Sequence, residues 1–230
     1  MDVTICIATH GDTHWADLAG ERAIPSAFEE VERTSCQLIY RHDRAGNLAD
    51  ARNRALAEVD TTWVLHLDAD DQLEAGYVAE LMAAQQRTGA DLLAPAVRYV
   101  RNGDRGGLRH ERRARVPRVA GHVHACTTDC MTAGNWLVVG TLAPTAMLRD
   151  VGGWRDWPCY EDWDLFLRCV VWQQARAVAV PSAVYRAHVR PDSRNRGSVT
   201  RDVKELTHQR ILTACSPGEA PGAVGATPAR

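Results

Sequence analysis

The chain has 230 residues, a formal net charge of −2, and 45% hydrophobic against 24% charged side chains. That size suits one compact domain of the larger kind, and the near-neutral charge excludes a global electrostatic pull towards nucleic acid or anionic membrane. No apolar run is long enough for a transmembrane helix. The first residues lack the basic region and apolar core of a signal peptide. The seven cysteines are odd in number and scattered, which fits reduced thiols in a cytoplasmic protein. Among 27 Lys and Arg residues, Lys204 is the only lysine.

Val3 to Ala8 reads as a first buried strand, ending in the polar loop Thr9-His10-Gly11-Asp12. Residues 15–34 carry apolar and acidic positions at helical spacing, with Pro25 tolerated only in a first turn. Gln37 to Tyr40 is a second strand opening into Arg41-His42-Asp43-Arg44, and Gly46-Asn47 precedes a helix over Leu48–Val59.

The stretch from Trp63 to Asp71 organises the rest. An apolar run led by Trp63 and Val64 predicts a strand buried on both faces, and it runs directly into Asp68, Asp70 and Asp71. Open α/β sheets bind ligands at the carboxyl ends of their strands. Carboxylates crowded there repel one another unless a cation sits among them, although Asp also favours turns and helix N-caps. A helix over Glu74–Thr88 closed by Gly89 and a strand over Asp91–Val100 follow. The alternation predicts a parallel or mostly parallel sheet flanked by helices.

The second half changes character. Arg98 to Arg118 carries eight arginines against two acids and reads as an exposed hairpin or loop, either a solvated basic surface or a site for phosphates or an anionic acceptor. His122, His124 and Cys126 share a strand face with Cys130 close by, so zinc is considered, but the spacing matches no familiar zinc motif. Pro144 to Asp150 is a short helix stopped by Gly152-Gly153. Glu161-Asp162-Trp163-Asp164 opens an amphipathic helix whose acids suit the helix dipole. Ala177 to His188 is a last strand interrupted at Pro181. Val199 to Leu212 is a final helix, and residues 213–230 are expected to be a disordered tail.

The ordered set Leu-Asp-Ala-Asp-Asp (67–71), Tyr-Glu-Asp-Trp-Asp-Leu (160–165) and Tyr-Arg-Ala-His (185–188), with Ala-Arg-Asn (51–53) and Gly-Gly-Trp (152–154), resembles the family 2 glycosyltransferases of GT-A fold. The resemblance implies a single Rossmann-like, mostly parallel sheet flanked by helices over residues 1–212. About 1–100 would be its nucleotide-binding half and about 101–212 a smaller acceptor-binding half. It implies inverting transfer of a sugar from a nucleoside diphosphate sugar, most commonly a UDP-sugar, to a hydroxyl acceptor (glycan, protein or modified nucleic-acid base). By that resemblance Asp68 contacts the nucleotide, Asp70 and His188 hold Mn²⁺ or Mg²⁺, and Asp71 supports the metal or the donor sugar. Asp162 is the catalytic base, Glu161 and Trp136 are donor-sugar or acceptor-binding candidates, and Thr9, Asp43 and Arg52 are nucleotide contacts.

The chemistry asks for these residue types independently. A departing diphosphate needs a cation held by hard oxygens, and the attacking hydroxyl needs a positioned carboxylate to take its proton. The segment at 41–44 departs from the usual paired aspartates. Clustered acids also serve nucleotidyl transfer or phosphohydrolysis, and a non-catalytic sugar-nucleotide-binding module is a third reading.

Overall fold

The computed structural model describes residues 1–101, 110–112, 135–190 and 199–220. Its first sheet orders β2 (Gln37–Asp43), β1 (Val3–His10), β3 (Trp63–Leu67) and β7 (Ala143–Pro144), with β1 parallel to both β2 and β3 and β7 antiparallel to β3. Val3, Ile5, Cys6 and Ile7 are fully buried, as are Val64 and Leu65, so both strands are covered on both faces as their unbroken apolar runs require. The second sheet orders β4 (Gln72–Leu73), β8 (Ala177–Val189), β5 (Leu92–Arg101) and β6 (His110–Arg112). β5 and β8 run parallel, while β4 and β6 are antiparallel to their neighbours. The two sheets meet where Leu93 and Leu142 exchange backbone hydrogen bonds of 3.0 and 3.1 Å.

The 15–34 region divides into α1 (Thr13–Glu21) and α2 (Ala23–Thr34), because Arg22 leaves helical geometry at φ −129° and ψ −67°. Pro25 falls in the first turn of α2. Asn47 caps α3 (Leu48–Glu58), its side chain accepting from the Asp50 N–H at 2.8 Å. The helix expected from Glu74 starts only at Tyr77 (α4, Tyr77–Thr88), since Gln72 and Leu73 pair with β8 and the Glu74 N–H donates to Val184 O. Gly76 lends α4 no side-chain cap. Buried Glu30 of α2 replaces it, its carboxylate accepting from the N–H groups of Gly76 at 2.7 Å and Val78 at 2.9 Å.

In β8 the break expected at Pro181 is a bulge: Pro95 pairs with Val180, but Ala96 pairs with Val184. α5 (Thr145–Asp150), α6 (Glu161–Gln173) and α7 (Arg201–Ala214) complete the layers. Residues 213–220 are ordered, contrary to the expected tail. A 3-10 turn at Pro217–Glu219 follows α7, and Trp172 Nε1 donates to Ser216 O at 3.0 Å. Residues 221–230, most of the arginine-rich stretch, and His122, His124, Cys126 and Cys130 lie outside the described residues. Among the described residues, no helix is long and apolar enough to cross a membrane.

α6 carries a wholly buried ion pair. Arg168 bonds Asp164 at 2.5 Å and donates to Gly153 O at 2.7 Å and to Val151 O, so it holds the α5–α6 loop to the core. Arg168→Met should cost about 3–5 kcal/mol in urea unfolding, because it leaves buried Asp164 with Arg155 at 3.5 Å and removes the donor that Val151 O and Gly153 O share. The double replacement Arg168→Met with Asp164→Leu should recover the charge part of that loss and not the part from the two carbonyls.

Candidate active site

Five carboxylates are gathered at the carboxyl end of β3 and the amino end of α6. Asp68 leaves β3 on a turn closed by the Asp71 N–H donating to Asp68 O at 3.1 Å. Tyr185 of β8 fastens that turn, its hydroxyl accepting from the Asp68 N–H at 3.2 Å and also bonding the Asp71 side chain. The His188 N–H donates to Asp71 Oδ1 at 2.7 Å.

Arg52 of α3 links the two acidic groups. Its guanidinium is 2.6 Å from Asp68 and 3.6 Å from Glu161 and lies 4.2 Å over the Trp154 ring. It is only 4% exposed. A buried charge so placed needs paired carboxylates to offset its desolvation, and the aromatic face adds a cation–π contribution. The neighbouring Asn53 holds the loop that carries Trp154, donating to Trp154 O at 2.8 Å and accepting from its N–H at 2.7 Å. Gly153, at φ +67°, leaves no room for a Cβ, which would lie 2.4 Å from Asn53 Oδ1. Trp154 Nε1 in turn donates to buried His66 Nε2 at 3.2 Å. Burial and the Arg52 charge push the His66 pKa down to about 3, so it stays neutral.

A cavity of about 500 Å³ opens over this frame, lined by Asp68, Asp71, Arg52, Glu161 and Asp162, with Val97, Tyr99 and Ala187 on a less polar wall. Asp162 Oδ1 accepts from Asn135 Nδ2 at 3.1 Å and from the Trp163 N–H at 2.7 Å. Burial, then the adjacent Glu161 charge, push the Asp162 pKa up to about 7, where a general base works near neutral pH. Asp70 is pushed up to about 6 by burial and Asp68. Asp71 is also raised, by burial first and then by Asp70 and Asp68. Burial leads in all three, and the like charge of the neighbouring carboxylates adds to it.

The remaining candidates separate. Asp70 is not among the cavity-lining residues. Its carbonyl accepts from Arg22 at 3.2 Å, and Arg190 and Arg22 supply positive field. The His188 ring is paired with Gln72 Oε1 at 2.9 Å and sits one residue out of phase with Tyr185 and Ala187, the β8 positions that line the cavity. Among the described residues, no three His, Cys, Asp or Glu side chains form a metal cluster by themselves.

Thr9 and Asp43 stand at the ends of β1 and β2, outside the cavity. Thr9 Oγ1 is 2.9 Å from His42 Nδ1. Asp43 is clasped by Arg54 and Arg41, whose hydrogen bonds hold its pKa below the usual range against the upward push of burial. Trp136 is half-buried and packs against the core. The cavity also receives Asn135, Tyr185 and Lys204, none of which the motif reading singled out. Only Tyr185 belonged to a motif, and there it stood beside the histidine that drew attention.

A mostly parallel sheet opening on carboxylates, with a second acidic pair brought in by a later helix, is the frame of a GT-A glycosyltransferase. A family profile, Glycosyl transferase family 2, matches residues 23–138, half of the chain, and the protein belongs to that family. None of the curated proteins compared matches the chain in sequence. Among solved structures, S. aureus TarS 1–349 in complex with UDP-GlcNAc is similar over 93% of this chain, with a TM-score of 0.60 and 14% identity. Full TarS superimposes at TM-score 0.56 and 16% identity, again over 93% of this chain. GalNAc-T7 with UDP, GalNAc and Mn²⁺ superimposes at 0.52 and 11% identity over 92%. The chain spans 66%, 39% and 47% of those three chains respectively.

A raised carboxyl pKa means that ionisation opposes folding. The penalty is fully present above about pH 7 and is relieved as the pH falls through that value. Asp162→Asn keeps the acceptor oxygen for Trp163 and Asn135 but removes the charge. Its stability advantage over the parent protein should therefore grow from pH 5.5 to pH 8.5 in denaturant melts.

Proposed function

We propose that this glycosyltransferase moves a sugar from a nucleoside diphosphate sugar, most simply a UDP-sugar, to a hydroxyl acceptor with inversion at the anomeric carbon and with a divalent cation. The observation that carries the reading is the convergence of Asp68, Asp71, Glu161 and Asp162 with Arg52 on one cavity. It is supported by the UDP-GlcNAc and UDP complexes of TarS and by the UDP and Mn²⁺ of the GalNAc-T7 structure.

The acceptor hydroxyl sits against Asp162, which takes its proton as the oxygen attacks the anomeric carbon. The new glycosidic bond forms on the face opposite the breaking bond to the diphosphate. Arg52 holds Asp68 towards the nucleotide and steadies Glu161, and the Tyr185 hydroxyl keeps the acidic turn in place. The hard oxygen donors and the raised pKa values of Asp70 and Asp71 fit Mn²⁺ or Mg²⁺. Asp70 would hold the ion together with phosphate and water oxygens, and the ion would supply charge neutralisation for the departing diphosphate. His188 would have to release Gln72 to join that shell, so it fits better as a support for Asp71.

Incubation with a nucleotide-sugar panel tests the reaction. Release of free nucleoside diphosphate is expected, whereas pyrophosphate release would turn the assignment to nucleotidyl transfer. Asp162→Asn should lower kcat by about 10²–10⁴, with donor KM changed only a few-fold. The kcat/KM of the parent enzyme should fall as pH drops through about 7, because protonated Asp162 is no longer a base. Chelation with EDTA should abolish turnover, and added Mn²⁺ or Mg²⁺ should restore it.

A further inference from the structure

The two carboxylate oxygens of Asp162 stand in different surroundings. Oδ1 accepts from the Trp163 N–H at 2.7 Å and from Asn135 Nδ2 at 3.1 Å, which occupies both of its lone pairs. Among the described residues Oδ2 has no hydrogen-bond partner, and Asp162 lines the cavity. Asn135 is held for its contact from the other end. Its Oδ1 accepts from the Leu137 N–H at 3.1 Å, which settles which end of the amide is oxygen and turns the NH₂ group to Asp162. Leu137 is fully buried and Trp136 packs against the core. The backbone beneath Asn135 is therefore anchored, although the residue itself is exposed at the cavity.

The charges around Asp162 pull in both directions. Glu161 beside it on α6 and Asp68 at the end of β3 favour its protonated form, Arg52 of α3 favours the carboxylate, and Lys204 of α7 lines the same cavity. Asn135 supplies the only side-chain hydrogen bond that Asp162 receives among the described residues. A donor of this kind favours the charged carboxylate, and fixing one oxygen orients the other for attack geometry. Resting on the proposed sugar transfer with Asp162 as its base, we propose that Asn135 is the positioning residue of that base: it pins Oδ1, so that Oδ2 takes the proton of the attacking hydroxyl.

Two substitutions separate this role from simple support of the loop. Asn135→Leu removes both hydrogen bonds. Asn135→Asp keeps an acceptor for the Leu137 N–H but sets a carboxylate oxygen against Asp162 in place of the donor. The midpoint of the pH profile of kcat/KM, near 7 in the parent enzyme, should rise by about 0.5–1 unit in Asn135→Leu and by more in Asn135→Asp, with donor KM changed no more than about two-fold. The Asn135→Leu midpoint is also read without turnover, by comparing that protein with its Asp162→Asn double variant in denaturant melts from pH 5.5 to 9.5. The advantage of the neutral side chain should set in at a higher pH than it does in the parent background. A loss of kcat in both variants with the profile unmoved, or an Asn135→Asp enzyme that matches the parent, overturns the inference. If no nucleotide sugar is turned over, the proposed reaction fails by itself, and an unmoved midpoint in the melts overturns the role of Asn135 independently.

Discussion

The guanidinium of Arg52 is the contact on which the site depends. It is buried, lies 4.2 Å over the Trp154 ring, and spans from Asp68 at the end of β3 to Glu161 at the start of α6. Without it, two acidic clusters contributed by distant parts of the chain would face one another across a cavity with nothing between them but repulsion. With it, each cluster is held by a group that cannot lose its charge at any working pH. The same bridge moderates Asp162, whose proton affinity is raised by burial and by Glu161 and drawn back by the arginine.

The surrounding structure serves that bridge. Asn53, one residue on, fastens the loop that brings Trp154 beneath Arg52, and Gly153 leaves the space that this requires. Arg168, paired with Asp164, then holds the same loop at Val151 and Gly153. On the other side, Tyr185 and the His188 N–H bind the acidic turn to β8. The Ala-Arg-Asn, Gly-Gly-Trp and Tyr-Arg-Ala-His stretches are thus one mechanical unit, and their joint appearance in a sequence has a physical reason.

The elements with one dominant signal were legible in the sequence. β1 and β3 announce themselves as unbroken apolar runs, α6 by its acidic first turn and apolar face, and α3 by its Asn47 cap. The elements defined by partners were not. The break at Arg22 is signalled by Pro25, which requires a first turn, but β4 is two residues that exist as a strand only because β8 lies beside them, and Glu30 caps a helix it does not belong to. The site divided in the same way. Asp68, Asp71, Glu161, Asp162 and Arg52, all drawn from motifs, line one cavity, whereas Asn135 and Lys204 arrive through tertiary packing and carry no local pattern. A motif gives a residue's place in the chain and not where its ring turns: His188 Nε2 lies 2.9 Å from Gln72 Oε1.

Among the described residues, one pair of reciprocal backbone hydrogen bonds, between Leu93 and Leu142, joins the two sheets. Hydrogen bonds from side chains cross the same seam, the Tyr185 hydroxyl accepting from the Asp68 N–H and Asp71 accepting from the His188 N–H. The acidic floor of the cavity is thereby stitched to both sheets at once, so whatever loosens the Tyr185 hydroxyl reaches Asp68 and Asp71 together.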